Sequence, residues 1–138
     1  GKFGEFKKRN PGLIEQYNQF EGLPQVFVNG ELTIGENIGD LSGVTLAYAG
    51  LQNALKEKSD PLTDSLSFDQ RFFLSWAQTW RNTITPQEMK LRINTDTHSP
   101  GKFRTNGVVR NIKAFQNAFQ CSDSAPMVVP DEQKADLW

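Results

Sequence analysis

The sequence predicts a mainly α-helical chain with one small β-hairpin. Apolar residues recur at helical spacing in several separate stretches, the main signal of helices that bury one face. Two short β-type runs flank Asn29-Gly30, the favoured pair for a two-residue hairpin turn. At 138 residues the chain is long enough for one domain with a real core, and two domains are not expected.

The elements follow in order. Asn10-Pro11 reads as a helix start, with Asn as N-cap and Pro at the first helical position. "LIEQYNQF" then places Leu13, Ile14, Tyr17 and Phe20 at helical spacing. "QVFVNGELTI" supplies the hairpin, and Gly35 ends its second run. A helix from Glu36 to about Lys56 follows, with Ile38, Leu41, Thr45, Tyr48, Leu51 and Gln52 as its buried stripe. Its glycines and alanines lower its intrinsic stability but let another backbone pack close. "KEKSDPLTDS" is a polar linker around Pro61. "SFDQRFFLSWAQTWRN" carries Phe72, Phe73, Trp76, Ala77 and Trp80 on one wide face, the pattern of a core helix. In "TPQE", Thr85 is the N-cap, Pro86 the first helical residue and Glu88 the closing member of a capping box, for a short helix through Leu91. "NTDTHSPGKFRTNG" reads as a long loop. "VRNIKAFQNAFQ" reads as a helix with Ile112, Phe115, Ala118 and Phe119 inward, and the tail ending in Trp138 allows one more helical turn.

Composition removes several function classes. The net charge is −1 and 22% of residues are charged, so no basic surface argues for nucleic acid. No apolar run has the ~18 residues that a membrane span needs. The first residues, "GKFGEFKKRN", do not read as a signal peptide, so any signal lies outside this chain. There is one cysteine, Cys121, and one histidine, His98. These are too few to build a zinc site unaided, where three or four protein ligands are usual.

Two stretches could carry chemistry. Glu36 and Asp40 lie at i and i+4, on one helix face with Cβ atoms ~5–6 Å apart. Near a helix N-terminus both gain from the macrodipole, so the pair equally suits a merely stabilised helix start. Asp96, His98 and Arg104 fall close together in the "TDTHSPGKFR" loop. An Asp beside a His fixes its tautomer, and a cationic His or Arg in a cleft can hold an oxyanion. Equally, the cluster suits a solvated loop with incidental charges.

Together the stretches resemble a known family. "NGELTIGENIGDLSGVTLAY", "FFLSWAQTWR", "TDTHSPGKFRTNG" and "FQNAFQC" are similar, in the same order, to segments of the neprilysin-type (M13) zinc metallopeptidases, whose bacterial members include oligopeptidase O. The resemblance covers nearly the whole chain, and Trp138 matches the family's usual last residue. It implies a helical zincin fold and a zinc-dependent endopeptidase acting on peptides. In the family two zinc-binding histidines and a catalytic Glu lie on an H-E-x-x-H helix. The resemblance assigns Glu36 as the third zinc ligand, a two-His-one-Glu set with an open water position. It assigns Asp40 to a hydrogen bond that orients a zinc-binding His. His98 matches the transition-state His, Asp96 the acid supporting it, and Arg104 the Arg that binds a substrate backbone carbonyl.

The departures are as informative. H-E-x-x-H does not occur in these residues, nor does the family's N-A-(Y/F) substrate-backbone motif; the letters "QNAF" fall in a different segment. Residues 1–138 are therefore expected to be the C-terminal part of the catalytic domain, inactive alone, whose partners are peptides and the N-terminal remainder of the same protein. Gly39 replaces a usual Ala and Ser42 a frequent Gly. Arg81 stands where disulfide-bearing members have Cys, and Cys121 matches a Cys that pairs outside this region. The resemblance places such an enzyme outside the cytoplasm (periplasmic, secreted or surface-anchored), with a cytoplasmic bacterial member also open. A non-catalytic helical interaction module, using the aromatic face of residues 68–82, is the alternative.

Overall fold

The computed structural model describes residues 10–58 and 65–135. Pro61 and Trp138 lie outside them. The described chain forms α1 (Pro11–Asn18), β1 (Glu21–Leu23), β2 (Val26–Phe27), α2 (Gly30–Leu55), α3 (Phe68–Thr79), α4 (Pro86–Thr95), α5 (Gly101–Val109), α6 (Lys113–Ala118) and a 3₁₀ turn at Asp131–Gln133. The mainly α class with one small antiparallel sheet is as expected.

α2 is the axis of the fold. Its 26 residues reach about 39 Å at 1.5 Å per residue. α1 and α5 pack along its N-terminal half. Tyr17, Leu13, Ile34, Leu41, Phe103 and Val108 form the centre of a single core there. α3 closes the other half, where Tyr48 meets the rings of Phe72 and Phe73 at 5.5 and 5.4 Å. The aromatic face of α3 is thus turned into the core rather than free: Phe73 is buried, and Phe72 and Trp76 pack on the same cluster. Ser67 and Gln70 form a reciprocal capping box at its start.

Several boundaries differ from the sequence reading, each for a physical reason. The hairpin turns at Pro24-Gln25, with Gln25 at φ 62, and pairs Glu21 with Phe27. Asn29-Gly30 is not its turn. Asn29 caps α2, its side chain accepting from the Leu32 N–H at 3.0 Å. Gly30 is required by close approach: a Cβ there would lie 2.2 Å from the Ile14 carbonyl oxygen. Gly35 therefore sits inside α2 and breaks nothing. α4 runs on to Thr95; Thr85 accepts from the Glu88 N–H, while the Glu88 carboxylate takes Arg92 at 2.6 Å. Residues 101–107, expected as loop, belong to α5. The predicted helix from Val109 instead breaks at Arg110–Ile112 before α6, whose inward residues include the buried Gln116.

The periodicity of α5 was masked by Gly107, whose missing side chain is what Tyr17 needs. A Cβ at Gly107 would lie 2.5 Å from the Tyr17 hydroxyl oxygen and 3.0 Å from the Phe20 ring. By contrast, Gly50 in α2 has nothing of the described residues within 4 Å of the equivalent position. Gly107→Ala is expected to destabilise by about 1–3 kcal/mol through overpacking, and Gly50→Ala to stabilise by about 0.5–1 kcal/mol. Urea denaturation midpoints check both; a Gly107→Ala midpoint at or above that of the unsubstituted chain contradicts the packing.

Candidate active site

Three segments build the site: the first half of α2, the short link from Asp96 to Pro100, and the start of α5. Glu36 and Asp40 lie in the second and third turns of α2, not at its N-terminus, because the helix begins at Gly30. The helix macrodipole therefore does not stabilise the pair, since that effect fades within the first turn. Their common face is real, and it looks toward the link and α5.

On the link, one carboxylate oxygen of Asp96 serves His98 twice. It accepts the His98 backbone N–H at 2.8 Å and pairs with ring Nδ1 at 2.8 Å. The backbone hydrogen bond, helped by the imidazole, holds the Asp96 carboxyl below the usual carboxylate range. The other ring nitrogen, Nε2, stands 3.3 Å from Glu36 Oε2. His98 thus bridges two carboxylates, and only the doubly protonated imidazolium donates to both. Glu36 and His98 are each 46% exposed, so the contact faces solvent.

Arg104 lies on α5 rather than on a loop, and the structure joins it to Asp40. Its Nε and Nη2 donate to the two Asp40 oxygens at 2.6 Å each, with the side chains only 13% and 11% exposed. The guanidinium carbon also sits 3.7 Å from the Trp80 ring centroid. Beneath the pair, burial and then the Asp40 charge push the Tyr17 phenol far above its ordinary value. That phenol donates to the Phe103 carbonyl at 3.3 Å.

A third tie is fully buried. The Ser99 hydroxyl donates to Asn37 Oδ1 at 2.8 Å, and Asn37 Nδ2 donates to the Thr33 hydroxyl at 2.9 Å. Sequence reading missed Asn37, Ser99 and Trp80 as parts of this assembly. The only hint was a polar residue, Asn37, set in an apolar run beside Glu36. A cleft of about 460 Å³ opens beside His98 and Arg104, walled by Trp80, Ile84, Met89 and Lys102.

The family described as peptidase family M13 matches residues 2–135. The chain belongs to peptidase family M13. It is 39% identical to human endothelin-converting enzyme 1 over 96% of its own length and 17% of that protein's. It is 38% identical to rabbit neprilysin, again over 96% of itself and 18% of the relative. The Mycobacterium tuberculosis zinc metalloprotease Zmp1, in a crystal structure with an inhibitor, superposes with a TM-score of 0.89 at 38% identity. That match covers 96% of this chain and 21% of Zmp1. The electron cryomicroscopy structure of Zmp1 in an open state gives 0.90. The chain spans about a fifth of the length of these relatives.

M13 is a family of zinc metallopeptidases. Among the described residues no group of three His, Cys, Asp or Glu side chains could hold a metal ion. Glu36, His98 and Asp96 are linked in a row by charge rather than converging on a point. These residues do not fit a complete zinc site. Cys121 is a free thiol.

Two outcomes follow from the geometry. Arg104→Ala leaves Asp40 charged and nearly buried, with an expected cost of about 3–5 kcal/mol. Adding Asp40→Asn to Arg104→Ala should recover part of it by removing the stranded charge; denaturant titration of the single and double variants checks the sign. Asp96, whose folded pKa is depressed, contributes stability above its ordinary pKa of ~3.9 that is lost as pH falls through the lower folded value. The stability gap between the unsubstituted chain and Asp96→Asn should therefore narrow below pH ~4. A gap that widens with acid contradicts the Asp96–His98 geometry.

Proposed function

We propose that this chain is the C-terminal part of the catalytic domain of a zinc-dependent endopeptidase, and that it works on peptides outside the cytoplasm. The observation that carries the reading is the contact of His98 Nε2 with Glu36 Oε2 at 3.3 Å, backed by Asp96 on the far side of the ring. In a chain of family M13, this contact supports reading His98 as an oxyanion donor and Glu36 as a metal-binding carboxylate beside it. Family resemblance alone supports the location.

In this reading Glu36 gives one carboxylate to zinc, whose other ligands come from outside this chain. Zinc, when bound, polarises the scissile carbonyl and lowers the pKa of water. Asp96 holds His98 as a donor through Nδ1, leaving Nε2–H to meet the oxygen on which charge develops. Arg104 has five N–H donors, and Asp40 engages Nε and one N–H of Nη2. The rest serve a substrate backbone carbonyl in the cleft. Each Asp40 oxygen keeps a second lone pair, which can accept from an imidazole N–H beyond this chain. The Arg104 fork then fixes Asp40 for that second contact. One carboxylate does not compete for zinc, so the isolated chain should bind it no better than ~10⁻⁴ M, as weak carboxylate sites do.

The test uses the full-length protein. Glu36→Ala should lose zinc and activity together. His98→Ala should keep zinc and lower kcat by ~10²–10³, the usual cost of one oxyanion donor. Normal zinc content in Glu36→Ala, or zinc lost from His98→Ala, overturns these roles.

A further inference from the structure

Glu36 and His98 are 62 positions apart, half exposed, and held by side chains that water can reach. Their neighbours in sequence are the opposite. Asn37 is 1% exposed and Ser99 is 3% exposed, and they are bonded to each other at 2.8 Å. A helix turns about 100° per residue, so Asn37 points into the core while Glu36 points out. Ser99 stands in the same relation to His98. The exposed pair and the buried pair are thus rungs on the same two strands of backbone.

The buried rung has one possible polarity. The Thr33 hydroxyl donates to the Asn29 carbonyl at 3.0 Å, so its oxygen must accept from Asn37 Nδ2. That fixes the amide orientation and leaves Asn37 Oδ1 as an acceptor, so Ser99 must be the donor. No member can be removed without stranding a buried polar atom, which costs more than an ordinary hydrogen bond returns. The backbone just beyond Ser99 is confined as well: Pro100 is buried, and a Cβ on Gly101 would lie 2.6 Å from the Trp80 carbonyl oxygen.

We propose that Asn37 and Ser99 are positioning residues whose buried hydrogen bond, oriented by Thr33, sets the distance from His98 Nε2 to Glu36. The bond holds the link against α2 from below, while Asp96 fixes the rotation of the ring. Neither fastening replaces the other: Asp96 sits on the link itself and cannot locate it relative to α2.

The inference rests on His98 acting as proposed above, and the experiment separates the two. In the full-length protein, zinc content, melting temperature, kcat and KM are measured for Ser99→Ala, His98→Ala and the double variant. Ser99→Ala should keep zinc, lower kcat about tenfold and leave KM within about twofold, a loss on the scale seen when groups orienting a site residue are removed. In the His98→Ala background, Ser99→Ala should cost almost nothing further in kcat, because both act through one interaction. Thr33→Val should lower kcat in the same direction and Thr33→Ser should restore it, which keeps the test open where Ser99→Ala fails to fold. A kcat unchanged in Ser99→Ala and Thr33→Val, or a Ser99→Ala loss undiminished without His98, overturns the positioning role. A full kcat in His98→Ala overturns the role proposed for His98 itself instead.

Discussion

The nearly buried ion pair between Arg104 and Asp40 is the interaction on which the site depends. Taking both charges out of water is costly, and the cost is offset only by good geometry. Here the geometry is a two-pronged fork with both bonds at 2.6 Å. The fork permits one register of α5 on α2 and resists sliding in either direction. α5 begins just after the link that carries His98, so fixing α5 also delivers His98 to Glu36 one helical turn before Asp40. Burial of apolar surface holds the helices together without direction; the charged fork and the Ser99–Asn37 bond supply the direction.

Glycine has two uses in this chain, and they separate inside from outside. Gly30, Gly101 and Gly107 lie where another group occupies the place of a side chain: a carbonyl, a carbonyl and a phenol. Each brings a segment close enough for the ties above. Gly39 and Gly43 have nothing of the described residues within 4 Å. They line, with Asp40, Val44 and Trp76, a groove of about 330 Å³ between α2 and α3. Asp40 therefore touches both regions: the fork with Arg104 on one side, and this groove on the other.

The site divides its labour by burial. Groups suited to meet a ligand, Glu36 and His98, are half exposed and tied to each other loosely at 3.3 Å. Groups that hold them, Asn37 and Ser99, are sealed in the core. Arg104 is intermediate, held on one edge by Asp40 and on its face by Trp80. This arrangement suits chemistry in which the reacting groups need solvent and substrate access while their spacing must not drift.

The sequence by itself determined the helical class and the core faces of α1 and α3, and it pointed to Glu36, Asp40, Asp96, His98 and Arg104 as candidates for the site. Periodicity and the aromatic stripe record which faces are buried, and four ordered motifs resembled one family. It did not determine where Asn29-Gly30 or residues 101–107 belong. The first pair suits a hairpin turn as well as a cap, and what decides is Gly30 meeting the Ile14 carbonyl, a contact with a different helix. The second stretch hides its helical period because Gly107 makes room for Tyr17, far away in sequence. Likewise, Glu36 and Asp40 share a face by spacing alone, but their partners did not follow from spacing. That His98 reaches the first and Arg104 grips the second was decided only by tertiary packing, because those contacts join residues more than sixty positions apart, and local pattern carries no record of them.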